Sequence, residues 1–556
     1  LGVTAVAADS GEFSELSVDL AGVTNWDGGE ADHHVQLQVN GQTVADERFD
    51  GAVANRFLAR MPLFADGNLD VSVVVPGDTG FAFDLNHLDA MRLRYPRQAH
   101  ADGERLWIDA LQSSTAFFSE GAGDGFSDAH LVSGFEGPDQ VIGFRVDGLA
   151  DGEVFAYVGR GDDWDWLPQV ASASDGSALV PSDTGSSYWV SNTSGLHVPR
   201  VESLADAAAL ISGQADYLII SPPVFLDELQ SLVNLQQSRG LTTRVVNLQT
   251  IYDQYNHSVP EAVAIQRYLD AAVPALGVHY VLLVGGDTYD YKNFLGTGSI
   301  SLLPTQYTKV GDIITFAPVD ALYADADRDG APEFALGRLP VRSLAELQAS
   351  LAKLAAVNGP VTNRKLMMVA QLADDEADYD SISDAFAAQL TDPWTTTRAY
   401  ADVIGVPATR SSLLGALNSD YNLLTFVGHS ASVQWSFDPI LTSADIANTT
   451  GSPVDLVVQW GCWNSYFVSP SANTLAHKFL NTASHGASAV IGVTSLTEVS
   501  SHEALGAYLY PELVAGTRIG DAFRLAKMQL AAAEGSTYLD ILLTATLLGD
   551  PAQPVR

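Results

Sequence analysis

Leu423-Leu424-Thr425-Phe426-Val427-Gly428-His429-Ser430 and Leu456-Val457-Val458-Gln459-Trp460-Gly461-Cys462-Trp463-Asn464 are two short apolar runs, each ending in glycine followed by a residue with a reactive side chain. Apolar runs of this length, bounded by glycine, read as strands buried on both faces of a helix-covered parallel sheet. In such sheets ligands bind beyond the carboxyl ends of the strands. If the two strands lie side by side, an imidazole and a thiol share one rim. Glycine before each of them permits a sharp turn and close approach of a substrate backbone. A thiol next to an imidazole can ionise near neutral pH, and the thiolate is the nucleophile. Cys462 is the sole cysteine, so there is no internal disulfide and no multi-thiolate zinc site. It is either an inert core residue or a working nucleophile. Its pairing with His429 at matched strand ends favours the second.

The flanking sequence carries the same pattern. Asp216–Ser221 (DYLIIS), Thr243–Leu248 (TRVVNL) and Tyr280–Val284 (YVLLV) predict strands, with helices over about 225–239 and 259–273 between them. After Arg364 the pattern restarts with a strand at Leu366–Ala370 and a helix at Ser381–Leu390. Strands at 423–427, 454–459 and 487–493 follow, with helices at 474–480 and 520–533. Alternating strands and helices predict a parallel α/β sheet. The expected division is two successive α/β subdomains, 206–360 and 361–556, joined by a helix around Leu344–Leu354. Residues 1–205 read differently. Val35–Val39 alternates apolar and polar before Asn40-Gly41, and 69–75, 91–95, 141–146, 154–158 and 188–191 are further strand-like runs between turn residues. This predicts an all-β sandwich or jelly-roll region, with a joint near 96–103 if it holds two modules.

Composition narrows the function. The chain has 556 residues, 47% hydrophobic and 17% charged, enough for a sizeable core and against global disorder. Its 67 acids against 28 bases give a formal charge of -39. Such a surface repels phosphate backbones and anionic lipid, which argues against nucleic-acid and membrane-surface roles. It suits a salt-rich or extracellular setting, where salt screens self-repulsion. No run of 18 apolar residues is present, so no membrane span is expected. Residues 1–8 are too short and unflanked for a signal peptide, and the opening Leu1 is read as the start of a processed or trimmed chain.

A second motif is independent of the strand ends. Asp325-Ala326-Asp327-Arg328-Asp329-Gly330-Ala331-Pro332-Glu333 sets oxygen donors at alternate positions, then a glycine, then a carboxylate. Calcium takes six to eight oxygens, and this spacing wraps a loop around one ion. The expected ligands are Asp325, Asp327, Asp329 and Glu333, with calcium in a structural role. The acid usual at the twelfth position is replaced by Leu336.

In chain order, DYLIIS (216–221), YVLLVGGD (280–287), YADADRDGAPEFALGRLPVRS (323–343), LLTFVGHS (423–430), QWGCWNSYF (459–467), GASAVIGVT (486–494) and LLGDPAQPVR (547–556) resemble the gingipain-type cysteine peptidases, peptidase family C25, from about residue 216 to the end. The β region resembles the N-terminal modules that accompany them. The resemblance implies a caspase-like α/β fold and a secreted or surface endopeptidase acting on polypeptide substrates. Cys462 would be the nucleophile and His429 the general base and acid. The backbone N–H groups of Cys462 and Gly428 are oxyanion donors by position. An orienting carboxylate is expected after Leu366–Ala370, with Asp374 chosen ahead of Asp375 and Glu376. Asp380 stands where an acid can bind a basic substrate side chain, and reads equally as a helix N-cap. Trp463 flanks the nucleophile and is a candidate substrate contact. The family's His-Gly-Ser reads His429-Ser430-Ala431 here, which bears on specificity more than on the dyad. Two alternatives stay open. One is a sortase-like transpeptidase on the same fold. The other is an inactive surface protein whose β region binds a surface ligand or glycan.

Overall fold

The computed structural model describes residues 207–556 apart from 312–313, 358 and 360–363. Before that it describes 2–3, 6, 13–26, 31–108 apart from 63, 65–66 and 82, and 143–197 apart from 151, 162, 168–169, 173–176 and 182–184. The chain divides into two units, Leu1–Glu202 and Ser203–Arg556.

The first unit is built from strands. Ser14–Gly22 lies between Ala54–Met61 and Asn86–Arg94, and His33–Val39 between Gln42–Phe49 and Val71–Val74. Strand alternation turns Leu16, Val18, Leu20, Val35, Leu37 and Phe57 into one buried cluster. A second cluster, with Leu106, Val146, Val158 and Val190, forms separately between two four-stranded sheets. The first cluster gathers residues up to Tyr95 and the second begins at Ala99. This is the stretch where the sequence suggested a joint. Residues 141–142 of the expected strand 141–146 lie outside the described residues.

The second unit holds one sheet of ten strands. In chain order they are β1 (Tyr217–Ser221), β2 (Thr243–Asn247), β3 (Tyr280–Val284), β4 (Ala335–Leu339), β5 (Arg364–Ala370), β6 (Trp394–Tyr400), β7 (Leu423–Val427), β8 (Leu456–Trp460), β9 (Val490–Val493) and β10 (Ala545–Leu548). Their order across the sheet is β2-β1-β3-β4-β10-β9-β8-β7-β5-β6. Every pairing is parallel except β9 with β10. The sheet is therefore two parallel halves of opposite direction, meeting at one antiparallel seam. The two α/β halves expected from the sequence share this continuous sheet, and β10, from the far end of the chain, joins them.

Helices cover both faces. The principal ones are α1 (Gln230–Ser238), α2 (Ala262–Leu276), α3 (Leu344–Ala356), α4 (Tyr379–Ala387), α5 (Val406–Leu417), α6 (Leu475–Asn481), α7 (Val499–Val514) and α8 (Ile519–Glu534). The strands β1, β3, β7, β8 and β9 are buried at every position, as expected of a sheet packed on both sides. In the half containing β7 and β8, α4, α7 and α8 pack on one face, and α5 and α6 on the other. Strand β6 (WTTTRAY) and helices α5 and α7 were not foreseen. β6 is a polar edge strand without the apolar run that marked the others, and α5 and α7 lack a clear amphipathic stripe.

One buried ion pair ties β4 to the loop before it. Arg338 on β4 is fully buried, and donates to Asp320 through Nε at 2.5 Å and Nη2 at 2.7 Å. Its Nη1 donates to the carbonyls of Gly285 (2.7 Å) and Leu303 (2.9 Å). Removing one partner of a buried pair leaves an uncompensated charge, at a cost of about 3–5 kcal/mol. Arg338→Leu should therefore lower the unfolding free energy of this unit by that amount in chemical melts. A change within error would show that the pair is dispensable.

Candidate active site

The parallel pairing of β7 and β8 matches Val427 to Trp460. His429 and Cys462 each stand two residues beyond that matched pair, so they leave adjacent strands at equivalent positions. Strands in a sheet are about 4.8 Å apart. The turns that carry the imidazole and the thiol accordingly leave the carboxyl end of this half-sheet side by side. Both glycines are sterically required. A Cβ on Gly461 would collide with the Gly428 carbonyl oxygen, and one on Gly428 would lie 2.6 Å from Cγ of Gln371. Gly428 also has φ +152°, which L side chains rarely adopt.

The turns are stitched together by buried polar groups. Asn464 donates to the carbonyls of Gln459 (3.1 Å) and Gly461 (2.6 Å) and to Ser430 Oγ (3.1 Å), and accepts from the Val493 N–H (3.2 Å). Three neighbouring strands thus meet on one side chain. Ser430 Oγ donates to the Cys462 carbonyl at 2.7 Å. Where the family pattern has glycine, this chain uses the serine hydroxyl to tie the histidine turn to the cysteine turn.

Asp374 lies in the loop after β5, with Oδ2 3.1 Å from Nε2 of His429. Glu376 is farther, at 3.7 Å. Tyr379 at the start of α4 is buried, and its hydroxyl lies 3.2 Å from both Asp374 oxygens and from His429 Nε2. Gln371 completes the frame: its Oε1 accepts the His429 N–H at 2.7 Å, and its Nε2 donates to Asp374 Oδ2 at 3.1 Å. Although burial opposes it, the donors of Glu376, Ala377 and Tyr379 hold the Asp374 carboxyl below its usual range. An ionised carboxylate at Nε2 fixes the ring so that Nδ1 is the nitrogen left to take a proton. Gln371 and Tyr379 were missed in the sequence, since only the fold brings them to His429.

The thiol is largely covered. Cys462 Sγ donates to the Thr497 carbonyl at 3.6 Å, and burial, with Glu376 and Glu498 nearby, pushes its pKa upward. The Cys462 N–H makes no hydrogen bond among the described residues. The Gly428 N–H donates to the Trp460 carbonyl at 3.0 Å within the sheet. That corrects the expectation for Gly428: its donor is occupied, and Cys462 alone of the expected pair has one available. Trp463 has φ +60° and packs edge-on against Tyr466, 5.1 Å between centroids, and on the cluster around Val310 and Ile314. Its ring anchors the cysteine turn and is half-buried there. Phe437, unmarked in the sequence, is 80% exposed with its ring 5.0 Å from that of His429.

The N-cap of α4 is Asp378, whose side chain accepts from the Ser381 N–H, so Asp380 is not the cap. Asp380 sits in the first turn with Oδ1 buried and unpartnered. Burial, then Asp402, Asp378 and Asp384, push its carboxyl up to about 6.

In the acidic loop, carboxylate oxygens of Asp325, Asp327 and Glu333 lie within 4.8 Å of one another. Asp325 also accepts the N–H groups of Asp329 (3.0 Å) and Gly330 (2.9 Å). Asp329 is not in the cluster: its Oδ1 turns back to the Ala331 N–H at 2.8 Å. The alternate-donor pattern therefore yields three converging carboxylates rather than four.

The sequence model of peptidase family C25 matches residues 211–556. Among solved structures, the Arg-specific cysteine proteinase gingipain R (RgpB) is similar at TM-score 0.51 and 18% identity, over 62% of this chain and 78% of that one. The complex of Porphyromonas gingivalis RgpB pro- and mature domains is similar at TM-score 0.51 and 18% identity, over 61% and 79%. At this identity the likeness is one of fold. No curated protein sequence matches the chain.

The hydroxyl of Tyr379 can be removed without opening a cavity. Tyr379→Phe should lower kcat for peptide hydrolysis about tenfold, and Asp374→Asn about a hundredfold, with melting temperatures nearly unchanged. Parent-like kcat in Asp374→Asn would remove that carboxylate from the frame.

Proposed function

We propose that this chain, which belongs to peptidase family C25 and is a cysteine-type peptidase, is a secreted or cell-surface endopeptidase that cuts through a Cys462–His429 dyad. The observation that carries the reading is the register of β7 on β8, which sets the two residues at equivalent positions on one ledge. His429 Nδ1 takes the thiol proton as sulfur attacks the scissile carbonyl. The negative charge formed on the carbonyl oxygen is stabilised by the Cys462 N–H. The C–N bond then breaks, and the proton passes from His429 to the departing amine. The acyl group is left on sulfur as a thioester. Water, deprotonated by His429, attacks the thioester, releasing the acid and restoring the thiol. Asp374 supports the imidazolium during both transfers, and Tyr379 and Gln371 hold Asp374 and the ring in position.

A basic side chain before the cut is supported by Asp380, a carboxylate with one oxygen unpartnered among other acids. Asp380→Ala should lower kcat/KM for Arg and Lys substrates by at least tenfold, with less effect on uncharged ones; an equal loss on both would remove it as the specificity residue. The secreted or surface setting rests on the -39 charge and the family resemblance. Among the described residues no helix is long and apolar enough to cross a membrane.

The converging oxygens of Asp325, Asp327 and Glu333 fit a calcium ion, with backbone carbonyls and water completing the shell. In the structural role assigned to it, calcium would fasten the loop that leads into β4. Chelation should lower the melting temperature by several degrees, and added calcium should restore it. An unmoved transition would count against the ion.

The dyad is tested by thiol alkylation. Because burial raises the Cys462 pKa, His429→Ala should be alkylated appreciably only at alkaline pH, above the ordinary thiol range. The parent should react faster at pH 7. Equal rates at pH 7 would disprove the pairing. Cys462→Ala should abolish peptide cleavage while its melting temperature stays close to the parent's.

A further inference from the structure

The second β-sandwich module carries an aromatic face that the peptidase chemistry does not use. Its four-stranded sheet runs in the order Arg105–Ile108, Ser187–Asn192, Val154–Arg160, Asp163–Leu167. The register opposes Trp107 to Trp189, Trp189 to Tyr157, and Tyr157 to Trp166. One row across all four strands is therefore aromatic. Leu106, Val190, Ala156 and Val158 occupy alternate positions and are buried in the sandwich, so the row points outward. Trp107 is 57% exposed and Trp166 58%. Trp164 joins the row, with its ring 5.1 Å from that of Trp107 and tilted by 41°. Tyr157 and Trp189 lie 5.6 Å apart with a 36° tilt. Gly159 makes this possible: a Cβ there would lie 2.7 Å from the Trp164 ring, so the indole rests directly on the backbone.

We propose that this strip is a binding surface for a neutral, β-linked polysaccharide. Exposed aromatics in one contiguous row present ring faces on which a flat ligand can stack. The charge pattern selects the ligand. In a chain with 67 acids, the outward positions of these four strands hold no carboxylate. Their one charged residue is Arg105, which contacts His197 at 3.2 Å. Asp163 and Asp165 fall on the alternate positions. A polyanion would need cations that this face lacks, and an anionic lipid surface would call for several basic residues beside the aromatics, where Arg105 stands by itself. An uncharged face of tilted rings fits the C–H faces of successive sugar rings, with indole N–H groups to meet their hydroxyls. Size separates this from self-association. Three strand spacings by five residues give about 250 Å², far below the roughly 800 Å² per partner that stable protein interfaces use. It matches a few sugar units.

The test uses the full chain. The parent should be retained on insoluble cellulose or chitin at moderate salt, and cellohexaose or chitohexaose should quench its tryptophan fluorescence. Trp107→Ala with Trp166→Ala should weaken retention at least tenfold, while peptidase activity and melting temperature stay at parent values. Trp166→Ser alone gives the same reading should the double variant fold poorly. Absence of retention on both polysaccharides, or equal retention of parent and variants, would overturn the proposal. So would a parent that sediments as a dimer and a variant that sediments as a monomer, because the strip would then be an interface between copies.

Discussion

Everything at the site follows from the in-register parallel pairing of β7 with β8. Parallel strands present equal positions to the same rim, so a glycine and a functional residue at the end of each arrive together. A shift of one residue would move every side chain of one strand to the opposite face. Burial on both faces, with helices packed on each side, makes such a slip prohibitive. Asn464 adds a specific lock, because its amide is satisfied only when β7, β8 and β9 hold their observed offsets.

The electrostatics around this ledge are those of a thiol held in reserve. Burial and two nearby carboxylates disfavour the thiolate at rest. The proton acceptor is set up separately, by a carboxylate on Nε2 and a glutamine on the backbone. In the proposed chemistry the sulfur becomes reactive when the histidine takes its proton. Such an arrangement limits adventitious oxidation and alkylation, which follow thiolate character and exposure.

Much of this was legible in the sequence, for a physical reason. Strands buried on both faces must be continuous apolar runs, and β1, β3, β5, β7, β8 and β9 all read as such. The polar edge strand β6 and the weakly amphipathic α5 and α7 did not, because their placement is decided by packing rather than by local pattern. At the site, Cys462 and His429 were found because glycine and a strand end mark each of them. Asp374 was reached through the family resemblance. Gln371, Tyr379, Ser430 and Asn464 carry no such mark, since their roles come from neighbours far away in the chain. Gly428 was misjudged because sequence gives no view of whether a backbone N–H is already committed to the sheet. Asp329 was misjudged because alternate spacing does not force alternate side chains to converge.

The seam at the middle of the sheet bears on how the enzyme is made. β10 is supplied by residues 545–548, yet it sits between β4 and β9, and the Arg556 guanidinium clamps the buried Asp455 just before β8, with Nη2 2.7 Å from Oδ1. A chain emerging from the ribosome cannot close this sheet until residues 545–548 are out. Between the synthesis of Cys462 and that of β10, the chain therefore carries the proposed nucleophile on a sheet that still lacks a central strand. On the proposed chemistry, cutting by the nascent chain is delayed by topology.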